Sequence, residues 1–159
     1  MSSAVVASNY QVRWNITFFL AYPVTMETFT IKSKSREAFI DVTSHVQEIV
    51  SASGIRSGFC ILHVPHTTAA VTVNEGADPS VQSDILAFLA DRVPHRGSYR
   101  HMEGNSDAHI KSTLVGISQV LPVEDGKVVL GTWQSIFFCE FDGPRNRRLH
   151  VQLVGDGTS

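Results

Sequence analysis

Apolar and polar positions alternate with a period of two over Glu27–Ile31 and again over Glu37–Val42, which predicts two strands near the start of the patterned region. The spacing then lengthens. Val46, Ile49 and Val50 share one helical face, Thr43-Ser44 with Gln47 resembles a capping box, and Gly54 ends the segment. Phe59–Val64 and Ala69–Val73 are β-branched or apolar runs, so two more strands flank the loop Pro65-His66-Thr67. Asp78 before Pro79 predicts a helix start, with Val81, Ile85, Leu86 and Leu89 on its apolar face as far as Pro94. After a loop over 94–104, Asn105 caps a third predicted helix whose Ala108, Ile110 and Leu114 face inward and which stops at Gly116.

Four strands close the chain. Ile117–Val123 and Lys127–Thr132 are joined by the turn Glu124-Asp125-Gly126, and Gln134–Phe141 is joined to Arg147–Val154 through Asp142-Gly-Pro-Arg-Asn146. Strands with interposed helices, but no sustained strand–helix–strand alternation, predict a single α+β domain over residues 25–159. It has a mixed, largely antiparallel sheet and about three helices. Residues 1–24 read as an N-terminal extension. Their apolar run from Ile16 to Val24 has about half the length a membrane span needs, and Asn15-Ile-Thr17 matches a glycosylation sequon.

Composition narrows the function classes. The chain has 159 residues, 43% hydrophobic and 18% charged, enough to bury a core of its own. A net charge of −2 provides no basic field for nucleic acid or an anionic membrane. Cys60 and Cys139 both fall inside strand-like runs and form no spaced metal or disulfide pair. They read as buried free thiols of a reducing compartment, and the expected location is cytoplasmic.

The candidate chemistry sits at the ends of these elements. His66 follows a strand, His101 precedes the third helix, and His109 lies on the same helical face as Asn105. Three such imidazoles could hold a divalent metal, zinc or magnesium, with an open position, or could each be an ordinary hydrogen-bonded histidine. His45, His95 and His150 read as structural. Thr67, Thr68 and Ser112 offer hydroxyls, and Arg145 and Arg147 offer forked guanidinium groups suited to phosphate oxygens; Arg145 could equally pair with Asp142 or Glu140. Gln134, Glu140 and Asp142 share strand parity, whereas Trp133 has the opposite parity and reads as core.

Taken in order, His66-Thr-Thr-Ala-Ala-Val-x-Val-Asn-Glu75, Asp78-Pro, Asn105-x-x-Ala-His109-Ile-Lys-Ser, Gly131-Thr-Trp-Gln134 and Glu140-x-Asp-Gly-Pro-Arg145-x-Arg147 resemble the motifs of the YjbQ-like, or secondary thiamine-phosphate synthase, family. The resemblance covers about residues 25–155. It implies a compact α+β homotrimer with a pocket near subunit contacts, and a weak ability to join a pyrimidine diphosphate to a thiazole phosphate with release of pyrophosphate. On that basis His66, Glu75 and His109 are expected to be catalytic. Thr67, Thr68, Asn74, Asn105, Ser112, Gln134, Arg145 and Arg147 are expected to bind a small phosphorylated molecule. Arg145, Arg147 or a metal on His66, His101 and His109 would stabilise the leaving group, and Glu75 would orient the amine-bearing ring. Two other readings remain open: a metal-dependent phosphoester hydrolase with Glu75 or Asp78 as base, and a non-catalytic trimer that binds a phosphorylated metabolite.

Overall fold

The structure is a computed structural model and describes residues 24–157; the extension over residues 1–23, with its sequon, lies outside the described residues. In chain order the elements are β1 (Val24–Lys32), β2 (Ala38–Asp41), α1 (Thr43–Ala52), β3 (Ile55–His63), β4 (Ala69–Glu75), α2 (Pro79–Arg92), α3 (Ser106–Val115), β5 (Ser118–Glu124), β6 (Lys127–Val128), β7 (Gln134–Glu140) and β8 (Asn146–Gly157). The strands form two sheets, β1-β8-β3-β5-β6 and β2-β7-β4, in which every pairing is antiparallel.

Side-chain alternation explains the layering. Leu149, Val151 and Leu153 of β8, with Cys60 and Leu62 of β3, turn from the five-stranded sheet toward Val71, Ile136 and Phe138 of the three-stranded one. Each large apolar side chain so buried contributes about 1.5–3 kcal/mol. α1 adds Val46 and Val50 to this layer. The opposite face of β7 carries Phe137 and Cys139, followed by Phe141, and is covered by Leu89 of α2 and Ala108 of α3. β7 is thus buried on both faces, so the run Ile136–Cys139 is continuously apolar rather than alternating.

Several expectations change. α3 buries Asp107, Ala108, Lys111 and Ser112, while Ile110 and Leu114 are exposed, because its inward face meets charged partners rather than a core. Trp133 is 65% exposed and not core, since it lies in the turn before β7. Val42 stands at the N-cap of α1, and the Thr43 hydroxyl accepts the Ile136 N–H at 2.9 Å instead of forming a capping box. The strand expected over Lys127–Thr132 is confined to Lys127–Val128.

Candidate functional site

At one end of the sandwich the inward-facing positions change from apolar to polar. Arg147 continues the row of Leu149, Val151 and Leu153, and Glu140 continues the row of Ile136 and Phe138, so the alternation that builds the core also drives an arginine and a glutamate together between the sheets. Arg147 Nε and Nη2 donate to Glu140 Oε2 and Oε1 at 2.8 and 2.6 Å, and Nη2 also donates to Thr68 Oγ1 at 2.9 Å. Glu140 further accepts the Ser33 hydroxyl at 2.9 Å and the Phe141 and Asp142 N–H groups at 3.0 and 2.9 Å. Burial alone would raise this carboxyl, but the Arg147 hydrogen bonds and the other donors outweigh it and hold it below the ordinary carboxylate range.

Asp142 anchors the neighbouring turn. Its Oδ1 accepts Arg36 Nη1 at 3.1 Å, and its Oδ2 accepts Asn105 Nδ2 at 3.0 Å and Arg145 Nη2 at 2.8 Å. Arg145 Nε donates to the Asp142 carbonyl at 2.7 Å. Here too burial favours the neutral form, but the Asn105 hydrogen bond and the Arg145 and Arg36 charges keep the carboxyl ionised. The turn is clamped to the segment after β1: Arg145 N–H donates to Ser33 Oγ at 2.8 Å and Gly143 N–H to the Arg36 carbonyl at 3.0 Å. A Cβ at position 143 would lie 2.3 Å from the Ser35 carbonyl, so this close approach requires glycine.

His66 occupies the loop between β3 and β4. The β3–β8 ladder ends at His63 opposite His150, and the next β8 donor is taken by a side chain: Arg148 N–H donates to His66 Nε2 at 2.8 Å. With Nε2 accepting, the neutral ring carries its proton on Nδ1. Burial first, then the Arg147 and Arg148 charges, lowers the His66 pKa from its ordinary value of 6.5, which keeps the ring neutral at physiological pH. His66, Thr67, Asn105, His109, Asp142, Arg145 and Arg147 line one cavity of about 540 Å³.

Residues 27–156 match the family described as UPF0047 protein YjbQ-like. The chain belongs to the YjbQ-like UPF0047 family. It is 51% identical to the UPF0047 protein of Methanocaldococcus jannaschii, with 80% of this chain and 93% of that protein covered. With YugU of Bacillus subtilis it shares 46% identity over 82% of this chain and 99% of the relative. Among solved structures, a YjbQ/UPF0047 protein of Clostridium acetobutylicum matches with a TM-score of 0.79 at 47% identity, covering 80% of this chain and 99% of that one. A Sulfolobus solfataricus protein matches with a TM-score of 0.81 at 35% identity, covering 84% and 99%. The latter is described as of unknown function, so these relatives establish family and fold without an activity.

The other YjbQ-like motif residues do not all reach the cavity. Asn74 and Glu75 end β4 opposite Ser135 and Gln134, and seven strand residues place that end about 20 Å from Thr68. There Gln134 Oε1 accepts the Gly131 N–H at 2.7 Å and Asn74 Oδ1 accepts the Glu75 N–H at 2.8 Å, both local turn contacts. Asp78 caps α2 by accepting the Ser80 N–H at 2.8 Å. Ser112 is buried and donates to the Ala69 carbonyl at 2.7 Å, tying α3 to β4. Asn105 stands at the N-cap of α3, but its side chain goes to Asp142 instead of capping the helix.

The proposed metal set does not converge either. Among the described residues no group of three or more His, Cys, Asp or Glu side chains could hold one ion. His66 spends its Nε2 lone pair on Arg148, and His101 lies outside the cavity, its ring edge-on to His109 at 5.4 Å between centroids. These residues do not fit a three-histidine centre. Cys60 and Cys139 are free and buried; burial pushes the Cys60 thiol up to about 12 and that of Cys139 higher still, so neither supplies a thiolate.

Sequence reasoning missed the ionic support behind the cavity. Arg36 Nη2 donates to Asp107 Oδ1 at 2.8 Å, while the fully buried Lys111 donates to Glu37 at 2.6 Å and Asp107 at 3.2 Å. Arg36 Nη2 also meets His95 Nδ1 at 2.8 Å, which draws in a histidine expected only to be structural. The one sequence signal was the i, i+4 spacing of Asp107 and Lys111 on α3.

Proposed function

We propose that the cavity binds a small phosphorylated molecule, and that its reaction is the displacement of pyrophosphate when a pyrimidine diphosphate is joined to a thiazole phosphate. The observation that carries this reading is the saturation of the two buried carboxylates that support the cavity, Asp142 in its wall and Glu140 behind Arg147. Glu140 and Asp142 already receive Arg147, Arg36, Arg145, Asn105, Ser33 and two backbone N–H groups. Apart from Glu103, whose exposed carboxylate stands 3.6 Å from His101, what is left for a ligand is a set of donors: the His66 Nδ1–H, the Thr67 hydroxyl and the remaining Nη1 groups of Arg145 and Arg147. Such a wall recognises an anion. As the carbon–oxygen bond to the diphosphate breaks, the electron pair leaves with pyrophosphate, and donors fixed in advance stabilise that charge.

Arg145 takes part differently from a free two-pronged clamp, because Asp142 holds its Nε and Nη2 edge and leaves Nη1 for a ligand. Glu75 lies at the far end of β4, so orientation of the amine-bearing ring falls to cavity residues. Calorimetry with inorganic pyrophosphate on the full chain is expected to show saturable binding in the micromolar to millimolar range, and incubation with the two heterocyclic phosphates is expected to release pyrophosphate. No binding heat and no competition by thiamine phosphate would overturn the reading.

The homotrimer implied by the resemblance has support from the outer face of the five-stranded sheet. There Val24 and Met26 of β1, Phe59 of β3 and Val120 of β5 stand exposed, with Val154 of β8 between Val24 and Phe59, an apolar surface of the kind that mediates association. Val120→Lys on this surface is expected to lower the sedimentation mass from three subunits to one at micromolar concentration. A wild-type chain that already sediments as a monomer would dismiss the trimer. Among the described residues no helix is long and apolar enough to cross a membrane.

A further inference from the structure

His109 belongs to more than the polar cavity. It also lines a second one, of about 530 Å³, together with Tyr99, His101 and Ile110. The loop ahead of α3 divides the two, since Glu103 faces the first cavity and His101 the second while the pair remain 3.6 Å apart. The character of the walls changes across His109. On one side stand His66, Arg145 and Arg147; on the other, the phenol ring of Tyr99, the imidazole of His101 and the aliphatic Ile110, with Ser98, Arg100 and Ser106 completing the lining. The phenol ring is fixed before any ligand arrives. Its hydroxyl donates to the Pro94 carbonyl at 2.8 Å, and its Cε2 would lie 3.0 Å from a Cβ at position 97, where glycine lets the ring pack against the backbone. His101 sets its ring at 87° to that of His109, an edge-to-face contact that orients the shared residue.

We infer that this second cavity is a ring subsite, which takes a planar aromatic or heteroaromatic group of a ligand whose phosphate occupies the donor-lined cavity across His109. The inference rests on the phosphate reading above and adds the ligand's other half. Tyr99 and Ile110 are specificity-determining residues in this arrangement, and His101 is a packing residue for the ring rather than a metal ligand. A flat π-system beside Tyr99 and Ile110 removes apolar surface from water, a gain that a polyol placed there does not make.

The test measures binding of inorganic phosphate, glycerol phosphate and phenyl phosphate to the full chain and to Tyr99→Ala, Tyr99→Phe and Ile110→Ser. Wild type is expected to bind phenyl phosphate about tenfold more tightly than glycerol phosphate. Tyr99→Ala removes that preference with inorganic phosphate unchanged, and Tyr99→Phe keeps it because the ring remains. Ile110→Ser, at an exposed helix position that leaves folding intact, reduces it in the same direction. Equal affinity of wild type for phenyl and glycerol phosphates, with inorganic phosphate bound, overturns the ring subsite alone. So does an equal weakening of all three ligands in both Tyr99→Ala and Ile110→Ser. Failure of all three to bind wild type overturns the phosphate reading, and the subsite with it.

Discussion

Replacement of Arg147 by methionine is expected to destabilise the protein by about 3–5 kcal/mol, because it strands the Glu140 carboxylate between two sheets without its counter-charge. Both side chains are almost entirely buried, so water cannot take the arginine's place. Glu140 keeps Ser33 and two backbone N–H donors, but these stabilise its charge less than the two-point contact with the guanidinium. The second change Glu140→Gln is expected to recover a large part of the loss: the amide oxygen still accepts from Phe141 and Asp142, and no unpaired charge remains. Urea unfolding of the two single variants and the double variant measures the coupling. If Arg147→Met cost less than about 1 kcal/mol, the pair would be structurally incidental.

Acid should act on the same pair. Glu140, Asp107 and Asp142 all have carboxyls held below their ordinary values of 4.5, 3.8 and 3.8. A carboxyl with a depressed folded-state pKa contributes stability that is fully present above its unfolded value and is lost as pH falls through the folded one. Stability should therefore fall off below about pH 4.5 in the wild type. In Arg147→Met the difference from wild type should narrow as pH falls, first above 4.5, where burial without the guanidinium raises the Glu140 carboxyl and protonation removes the stranded charge, and then below 4.5, where wild type loses its own stabilisation.

The sequence made the strands legible both where one face is buried and the next is not, as along Arg147–Leu153, and where an apolar run is buried on both faces, as in β7, predicted over Gln134–Phe141 and found over Gln134–Glu140. It located His66, Thr68, Asp142 and the two arginines because these residues interrupt apolar periodicity at strand ends, where a polar side chain must have partners. Arg36 and Glu37 gave no such signal. Their partners Asp107 and Lys111 lie 71 and 74 residues away, so only the folded chain reveals why α3 turns a charged face inward. Asn74 and Glu75, with Gln134 opposite Glu75 on β7, lie away from this cavity for a simple geometric reason. A motif continuous in sequence becomes a line about 20 Å long once it lies in a strand, and its two ends cannot serve one small cavity.

His66→Ala is expected to weaken pyrophosphate binding about tenfold to a hundredfold, the effect of losing one hydrogen bond to a charged group, and to cost about 1 kcal/mol of stability from the unsatisfied Arg148 N–H. His66→Gln should recover part of both, since an amide oxygen can accept from Arg148 while its nitrogen donates. The imidazole should act as a neutral donor throughout: nitrogen-15 spectra should place its proton on Nδ1 and its titration below 6.5. Linkage gives a sign as well. A histidine whose folded-state pKa is lowered takes up a proton more readily when unfolded, so its contribution to stability is present above 6.5 and declines as pH falls toward the folded value. Zinc offers the contrasting outcome. If the ring were a metal ligand, zinc would raise the melting temperature of wild type but not of His66→Ala, and pyrophosphate affinity would depend on the metal. Pyrophosphate binding without added metal that weakens in His66→Ala by that factor and partly returns in His66→Gln is the result expected of a hydrogen-bond donor whose other nitrogen completes the end of a β-ladder.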